Sequence, residues 1–549
     1  MLTATGIESD RDQQGAVEPH QAKGVERVLS LSAQHLRLTQ VTLADQTDHH
    51  NELVQERQWL LHPSESGLLL HGNLFVIENL AAGSGHILVK KAPLPGARSV
   101  ATEFDLKSTP RRNGGYEFVL SGSPEGQAHS WEILEYHGGL MERTRVIHEW
   151  QRRLRPATPG HWVPRFLSNT WGDRSRDSRI REDFVAAEID AAHLLGVEVV
   201  QIDDGWQRGV TSNSSLAQQL GGVWEGFWNA DPHFWDPHPE RFSQGLGPIV
   251  ERARAKGMSI GLWFAPDSWN EFANWRRDAD CILKLFSTLG IEHFKIDGVS
   301  AKTELAFCNL DHFFQAVLDG SQGRVVFDLD ITADIRPGYF GAMEVGPIFV
   351  ENRYTDWHKY WPHQTLRNLW MLSHWVDPRR LRMEFLSNAR NVELYSNDPL
   401  APSRYTPATL FATVMFSNPL GWFEVSALPA AFCESVAGLV KIWKTHREAL
   451  FSGSIIPIGK QPDGFSVTGF LSLSEAHDSG YVLIFRELYP EDHITLVLPA
   501  IGLGECQWDV LAPGGAIQSQ GDILKVQIPN PLGFVFARFT VICASKGYG

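Results

Sequence analysis

The sequence has few cysteines, no long apolar run and no excess of positive charge. Its five cysteines are scattered over 549 residues and form no CxxC pair, so we expect neither a disulfide framework nor a structural zinc site. No run of about 18 apolar residues occurs, and therefore no membrane-spanning helix is predicted. The formal net charge is -15. Because phosphate binding needs clustered lysines and arginines, we predict no nucleic-acid partner.

The first twenty residues contain neither the basic region nor the apolar stretch of a signal peptide. Together with the scattered cysteines, this predicts a cytoplasmic, reducing environment. Hydrophobic residues make up 43% of the chain and charged residues 21%, which is typical of a globular protein with large cores. The 19 tryptophans are unusually many. Indole faces can stack on sugar rings, although most buried indoles only fill cores.

The chain divides into three regions by its hydrophobic pattern. Residues 1–155 contain short alternating runs, such as 68–80 and 116–122, separated by Gly, Pro and Asn. This pattern predicts an antiparallel β-sandwich. Residues 452–549 alternate in the same way and predict a second, smaller sandwich. Between them, residues 156–451 alternate short apolar strands with amphipathic helices, which is the pattern of a parallel sheet.

The middle region contains eight predicted strands, nearly all followed by a helix. Eight such units in a region of this size predict a (β/α)8 TIM barrel. A doubly wound open sheet would need a glycine-rich turn after the first strand, and SNTWGDRS (168–175) is not one. We therefore predict a multidomain protein whose central barrel is flanked by two sandwiches. The strands are predicted at 162–168, 197–203, 258–265, 291–297, 324–330, 346–352, 380–386 and 420–425.

Acidic residues follow five consecutive predicted barrel strands. An isolated acid at such a position is usually a helix cap or a turn former, but capping alone does not explain five in succession. Catalytic groups of a TIM barrel lie at the carboxyl ends of its strands. Carboxylates beside indoles suit a neutral polyhydroxylated ligand. These acids are Asp203, Asp204, Asp267, Asp297, Asp328, Asp330, Glu351 and Asp356.

No pattern for a metal or an organic cofactor is present in the sequence. There is no HExxH motif, and the histidines of 231–240 lie in a proline-rich segment. Neither a Walker-type nor a dinucleotide-type glycine fingerprint occurs between a strand and a helix. We therefore predict that the protein needs no metal and no cofactor.

Four segments resemble, in order and spacing, motifs of the retaining α-glycosidase clan that includes glycoside hydrolase families 27 and 36, mostly α-galactosidases. They are SNTWG (168–172), QIDDGWQ (201–207), GLWFAPD (261–267) and HFKIDG (293–298). The resemblance covers roughly 160–450. It implies an α-galactosidase-like enzyme whose nucleophile lies on the fourth barrel strand.

The resemblance carries the nucleophile to Asp297. Lys295 is predicted to point to the same face, because side chains alternate along a strand with period 2. A nearby ammonium favours the ionised carboxylate that a nucleophile needs. In the clan, the strand-2 acids and the strand-4 lysine hold sugar hydroxyls. Of Asp203 and Asp204, at least one should reach the pocket, because Gly205 permits a bend.

Two segments depart from family 36. DLDITADIRPG (328–338) lacks the cysteine and the glycine cluster of the family's strand-5 loop, and ENRYTDW (351–357) lacks its Ser-Asp motif. Strand alignment places Asn352 on the acid/base, and an amide cannot act as an acid. RYTD (353–356) is similar to the family 27 arrangement, in which an arginine shortly precedes the acid/base. This resemblance assigns the acid/base to Asp356, with Glu351 in reserve.

The sequence thus predicts a retaining exo-α-glycosidase, with an α-galactoside or its oligosaccharide as leading substrate. A transglycosidase of the raffinose-synthase type and a different α-hexosidase are the alternatives within the enzyme class. A catalytically silent sugar-binding protein is the alternative outside it. The sequence leaves open whether the protein forms a homo-oligomer. The predicted sugar contacts are Trp171, Asp203, Asp204, Trp206, Trp263, Asp267, Lys295, Asp330, Glu351 and Arg353.

Overall fold

The computed structural model of the chain forms two compact units. The first comprises residues 1–41, 56–91 and 99–135, and the second comprises the remainder. The residues that the structure describes are 17–18, 25–33, 35–43, 53–62, 66–92, 104–112, 114–122, 130–154, 163–301, 303–330, 338–350, 359–498, 505–512 and 514–542.

The first unit is built from two five-stranded antiparallel sheets. Their strands are β1 (Val17–Glu18), β2 (Val25–Leu31), β3 (Leu36–Leu43), β4 (Val54–Leu61), β5 (Leu68–Leu70), β6 (Leu74–Asn79), β7 (Ser84–Lys90), β8 (Leu106–Pro110), β9 (Tyr116–Ser121) and β10 (Trp131–His137). The sheet orders are β1-β2-β9-β8-β5 and β10-β7-β6-β3-β4. Alternate residues bury a common core that includes Phe75, Phe118 and Trp131.

The second unit contains a closed barrel of eight parallel strands. They are β11 (Leu167–Asn169), β12 (Val199–Ile202), β13 (Ser259–Phe264), β14 (His293–Ile296), β15 (Val326–Asp330), β16 (Ile348–Val350), β17 (Leu381–Phe385) and β18 (Asn418–Gly421). Each strand pairs with the next, and β18 closes on β11 through the pair Leu167 and Leu420. The strands are short and buried, as expected for a parallel sheet covered by helices.

Helices follow most barrel strands. Two of them have clear local boundaries: Gly196 ends one in the left-handed region at φ 87°, and Thr303 caps another by accepting from the Ala306 N–H at 3.1 Å. The α-helices are α1 (Leu140–Arg153), α2 (Glu182–Leu195), α3 (Ala217–Leu220), α4 (Phe227–Ala230), α5 (Gly247–Ala255), α6 (Trp269–Phe272), α7 (Trp275–Leu289), α8 (Glu304–Gly320), α9 (Gly338–Gly341), α10 (Pro362–Leu372), α11 (Pro407–Ala412) and α12 (Ala430–Ser452). Short 3-10 helices occur at Pro378–Arg380, Val392–Tyr395, Pro402–Arg404 and Val425–Ala427.

The end of the chain forms two antiparallel sheets. Their strands are β19 (Ser454–Gly459), β20 (Val467–Leu473), β21 (Ser479–Arg486), β22 (His493–Val497), β23 (Cys506–Ala512), β24 (Ala516–Gln520), β25 (Ile523–Gln527) and β26 (Gly533–Val541). The orders are β19-β20-β21-β26-β23 and β22-β25-β24. A shared apolar core, with Leu471, Ile484 and Leu524 at its centre, packs the two sheets face to face.

The structure confirms the predicted fold class, a central (β/α)8 barrel with antiparallel sheets before and after it. The eighth strand was misplaced, because the apolar run at 420–425 reflects burial of Trp422 and Phe423 beyond the strand end. The domain boundaries at 155 and 451 stay a prediction, and α1 belongs to the second unit. None of the helices in the described ranges is long and apolar enough to cross a membrane.

Candidate active site

The interior of the barrel contains a buried polar cluster, which we call the floor network. It consists of Asn169, Gln201, Asp203, Lys295, Asp328 and Arg382. Lys295 Nζ donates to Asp203 Oδ2 at 3.0 Å. Asn169 Nδ2 donates to the same oxygen at 2.8 Å and to Gln201 Oε1 at 2.7 Å. Residues from two different strands, β11 and β14, therefore hold the Asp203 carboxylate in one position.

The floor network continues to the opposite side of the barrel through Asp328. Gln201 Nε2 donates to Asp328 Oδ2 at 3.4 Å, and Arg382 Nε donates to Asp328 Oδ1 at 3.0 Å. Burial raises the pKa of Asp328, and the charges of Arg382 and Lys295 oppose that rise. Two carboxylates thus face two cations inside the barrel, which reduces the cost of burying each charge.

The ammonium of Lys295 is also enclosed by aromatic rings. Its Nζ lies 5.0 Å from the ring centroid of Phe349 and 5.0 Å from that of Trp422. These two rings are themselves in contact, at 5.2 Å between centroids. A cation over aromatic faces is attracted by the ring quadrupole. The lysine is therefore fixed by an ion pair on one side and by ring contacts on others.

Asp297 lies directly beyond the floor network, at the carboxyl end of β14. It follows Lys295 by two residues, so both side chains face the barrel interior. The Gly298 N–H donates to Asp297 Oδ1 at 2.7 Å, and Trp263 Nε1 lies 3.3 Å from Oδ2. The side chain is 8% exposed. The carboxylate is thus oriented from two sides at the carboxyl end of β14.

The adjacent acids of the strand-2 motif diverge. Asp203 enters the floor network, whereas Asp204 accepts from Gln207 Nε2 at 2.6 Å and from the hydroxyl of Thr211. Burial raises the pKa of Asp204 from 3.8 to about 7, although these two hydrogen bonds oppose the rise. The structure thus places Asp203 in the floor network and Asp204 among contacts with the loop after β12, and a sugar contact of either acid stays a prediction.

The bend between these two directions depends on Gly205. Its φ is 113°, a value that other residues rarely adopt. A β-carbon there would lie 2.4 Å from the β-carbon of Asp177. Arg241 links these two residues by donating to the Gly205 carbonyl at 2.7 Å and to Asp177 Oδ2 at 3.0 Å. The glycine of the DDGW motif is thus required by space as well as by conformation.

Asp267 is predicted to bind sugar but is occupied by neighbouring loops. Its Oδ1 accepts from the backbone N–H groups of Gly226 at 2.6 Å and Trp269 at 3.2 Å, and its Oδ2 accepts from Asn274 Nδ2 at 2.9 Å. Its own N–H donates to Asp278 Oδ2 at 3.0 Å. The side chain is fully buried. Asp267 therefore connects the loops after β12 and β13, and this geometry does not support a sugar contact.

The predicted tryptophans occupy different depths. Trp206 is fully buried and donates through Nε1 to the Trp263 carbonyl at 2.8 Å, so it supports the site from behind. Trp263 is 1% exposed and reaches Asp297 through its N–H. Trp171 is half-buried and packs against the apolar cluster that contains Trp422. Trp224, which sequence reasoning missed, is half-buried with its ring centroid 6.1 Å from that of Trp263.

Trp224 is well placed for a ligand at Asp297. Its ring lies 3.7 Å from the point where a β-carbon on Gly298 would stand. Asn169 and Gln201 were also missed. Gln201 is the one polar residue in the buried strand VVQI (199–202). Because burying an unpaired amide is costly, its presence there could have indicated a hydrogen-bonded role.

Of the remaining predicted residues, Asp330 alone lies within the described ranges. Asp330 ends β15, two residues after Asp328, so its buried side chain faces the interior as well. Glu351, Arg353 and Asp356 lie outside the described residues, and their assigned roles stay predictions. Within the described ranges, no group of three or more His, Cys, Asp or Glu side chains is arranged to hold a metal ion.

Comparison with curated proteins finds α-galactosidases. The chain is 28% identical to alpha-galactosidase 2 of Pediococcus pentosaceus over 152 residues, 28% of this chain and 18% of that one. It is 26% identical to alpha-galactosidase Mel36A of Lactobacillus acidophilus over 157 residues, 28% of this chain and 19% of that one. The match thus covers about a fifth of these curated relatives. No protein-family model matches the chain.

Comparison with solved structures extends over nearly the whole chain. The GH36 α-galactosidase AgaA of Geobacillus stearothermophilus has a TM-score of 0.64 at 11% identity, over 94% of this chain and 76% of that one. The α-galactosidase of Lactobacillus brevis has a TM-score of 0.63 at 12% identity, over 94% and 75%. The chain is similar to α-galactosidases in part of its sequence and in its fold. At these identities the structures show a shared fold alone.

Proposed function

We propose that this protein is a retaining α-galactosidase that removes terminal α-linked galactose from oligosaccharides. The observation that carries the proposal is the carboxylate of Asp297, oriented at the barrel mouth beyond the Lys295–Asp203 ion pair. This arrangement fits the part of a glycosidase site that attacks the anomeric carbon. The sequence similarity to α-galactosidases supports the choice of sugar.

In the proposed reaction, Asp297 acts as the nucleophile. Its carboxylate bonds to the anomeric carbon while the bond from that carbon to the leaving oxygen breaks. Asp356, the predicted acid, gives its proton to the leaving oxygen. In the second step, the ionised Asp356 takes a proton from water, whose oxygen bonds to the anomeric carbon and releases Asp297. Two displacements at one carbon retain its configuration.

We propose that the floor network binds the galactosyl ring. Asp203 offers carboxylate oxygens to sugar hydroxyls, and Lys295 offers N–H donors, while Asn169 holds Asp203 in orientation. Trp224 is proposed to cover an apolar face of the ring. Hydrogen bonds of this kind form in the ground state and in the transition state, so their loss should weaken both binding and turnover.

The substrate class is proposed from chemistry and from the neighbouring structures. Removal of a single terminal sugar is proposed from the similarity to α-galactosidases. Two structures of AgaA variants, at 10% and 11% identity to this chain, contain raffinose and stachyose respectively. We extend to this chain only the class, α-galactosyl oligosaccharides. A three-domain organisation and a cytoplasmic location belong to the same proposal, and the scattered cysteines support the latter.

The test is hydrolysis of a panel of nitrophenyl α- and β-glycosides that includes both galactose and glucose. We expect the α-galactoside to be cleaved fastest, by at least about tenfold in kcat/KM, because hydrogen-bonded hydroxyls discriminate epimers strongly. Proton NMR of the first product should show the α-anomer before mutarotation. Preference for another sugar would contradict the assigned substrate, and initial release of the β-anomer would contradict retention.

A further inference from the structure

Tryptophans are concentrated in the segment that runs from the end of β12 to the start of α7. Seven of the 19 in the chain lie between residues 206 and 275. Three of these, Trp206, Trp235 and Trp263, are buried beneath the site. Three more are half-buried, and Trp269 alone among the seven is exposed, at 45%. The segment therefore carries indoles from the interior of the barrel to its outer edge.

The exposed indole precedes an unusual backbone conformation. Asn270, Glu271 and Phe272 have φ values of 48°, 58° and 62°, so three successive residues are left-handed. None of them is glycine. Left-handed residues occur singly as a rule, because their β-carbons approach the following carbonyl. Such strain persists only where neighbouring groups hold it, and it is concentrated at sites of function.

Several contacts hold the turn in this conformation. Phe272 is 1% exposed and anchors its end in the core. The Glu271 carboxylate accepts from the hydroxyl of Thr303, and its carbonyl accepts from Asn309 Nδ2 at 2.8 Å. The Trp269 N–H donates to Asp267 Oδ1. The backbone that presents Trp269 is therefore fixed at both ends.

The turn is linked to the candidate active site through one carboxylate. Asp267 Oδ1 accepts from Trp269 and also from Gly226, which follows Trp224 by two residues. Trp224 contacts Trp263, and Trp263 Nε1 reaches Asp297. Trp269 therefore belongs to a loop at the same, carboxyl end of the barrel as Asp297, and it is more exposed than Trp224.

We propose that Trp269 is a binding platform for the leaving sugar of an α-galactosyl oligosaccharide. The inference rests on the proposed function and adds a subsite to it. An exposed flat indole on a rigid backbone offers an apolar face to a sugar ring at little cost in conformational entropy. The platform makes the enzyme prefer substrates whose leaving group is itself a sugar.

The experiment compares two substrates that share galactose and differ in the leaving group. Raffinose leaves sucrose, whereas α-galactosyl fluoride leaves an ion too small to touch the rim. We expect the ratio of their kcat/KM values, raffinose over fluoride, to fall about tenfold in Trp269→Ala, a loss of about 1.4 kcal/mol. Trp269→Phe should keep most of the ratio, because it retains an aromatic face. Trp269→Leu should lose it.

The matched control is Phe465→Ala, which removes another exposed aromatic side chain, 57% exposed, from the connection between β19 and β20. Its ratio should equal that of the wild type. Thermal unfolding of each variant confirms that it is folded. If the wild type cleaves both substrates and Trp269→Ala keeps the wild-type ratio, the platform is wrong and the proposed function stands. If the wild type cleaves neither substrate, the proposed function fails and the platform's ligand fails with it.

Discussion

Two groups of buried acids near the barrel mouth are stabilised by different partners. In the floor network, Asp203 and Asp328 face the cations Lys295 and Arg382. At the rim, Asp204, Asp267 and Asp278, which we call the rim acids, accept from amides, hydroxyls, backbone N–H groups and an indole. The floor residues lie in the barrel strands or directly after them, whereas the rim acids lie in the loops and the helix that follow.

We propose that the difference separates sugar binding from support of the loops. In the floor network, ion pairs hold the charged side chains that are proposed to contact the sugar. At the rim, burial raises the pKa of Asp204 and that of Asp278 to about 7. The contacts that these two acids make are therefore expected to depend on pH. Each of the following substitutions tests one side of this comparison.

The largest effect is expected at the carboxylate beyond the floor. Asp297→Asn should lower kcat by at least about 10³-fold, because the amide cannot bond to the anomeric carbon. The melting temperature should change little, since the amide can keep the contact with the Gly298 N–H. Asp311→Asn, which alters an exposed residue of α8, serves as the matched control. Hydrolysis at the wild-type rate by Asp297→Asn would end its assignment as the nucleophile.

The next effect concerns the ion pair of the floor. Lys295→Met should lower the free energy of unfolding by about 3–5 kcal/mol, because it leaves the Asp203 charge buried without its cation. The double variant Lys295→Met/Asp203→Asn should regain much of this stability but no activity. Lys284→Met, at a lysine whose side chain is 72% exposed, is the control. Equal stability of the single and double variants in urea would show that the pair is not coupled.

A smaller loss is expected where the rim joins two loops. Asp267→Ala removes the acceptor of three hydrogen bonds and should cost about 2–3 kcal/mol, the range for hydrogen bonds to a charged group. Activity should fall too, through displacement of Trp224. Asp280→Ala, at an exposed position of α7, provides the comparison. Full activity together with lowered stability would mean that Asp267 supports the fold without positioning the site.

The last effect is a change in the pH dependence of stability and not in stability at a single pH. The pKa of Asp204 is raised from 3.8 to about 7 in the folded state, so the folded protein binds more protons than the unfolded chain between these values. Its contribution to stability is present below about pH 4 and is lost as pH rises to about 7, by up to about 1.4 kcal/mol per pH unit. Asp204→Asn should therefore lose less stability than the wild type between pH 5 and 8. Parallel melting curves for the two proteins would exclude this coupling.

The barrel was predictable because its strands are short apolar runs with clear breaks. The prediction at 258–265 and the strand Ser259–Phe264 differ by one residue at each end. The eighth strand was displaced because Trp422 and Phe423 are apolar for a different reason, burial around the ammonium of Lys295 and beside Phe385. An apolar run indicates that residues are buried, whereas the spacing of apolar residues along the chain indicates whether they form a strand.

The site was predictable where strand alternation decides it, as for Lys295 and Asp297. The directions of the Asp203 and Asp204 side chains were not predictable, because strand alternation does not continue through the bend at Gly205. The structure shows them by two contacts: Asp203 accepts from Lys295, and Asp204 accepts from Thr211. The partners of Asp267 were not predictable for a related reason. A loop carboxylate meets partners far away in sequence, such as Gly226, and no local pattern reveals them.

The left-handed turn after Trp269 sets a limit on engineering this protein. Glycine tolerates a positive φ, so Glu271→Gly would look like an obvious route to a more heat-resistant enzyme. The same change would delete the carboxylate that receives the Thr303 hydroxyl and would free the chain beside the indole. Screening for thermal stability alone would therefore favour variants that lose this turn, whereas screening for activity on oligosaccharides would keep it. A library of turn variants screened separately for the two properties would show which of them depends on the turn.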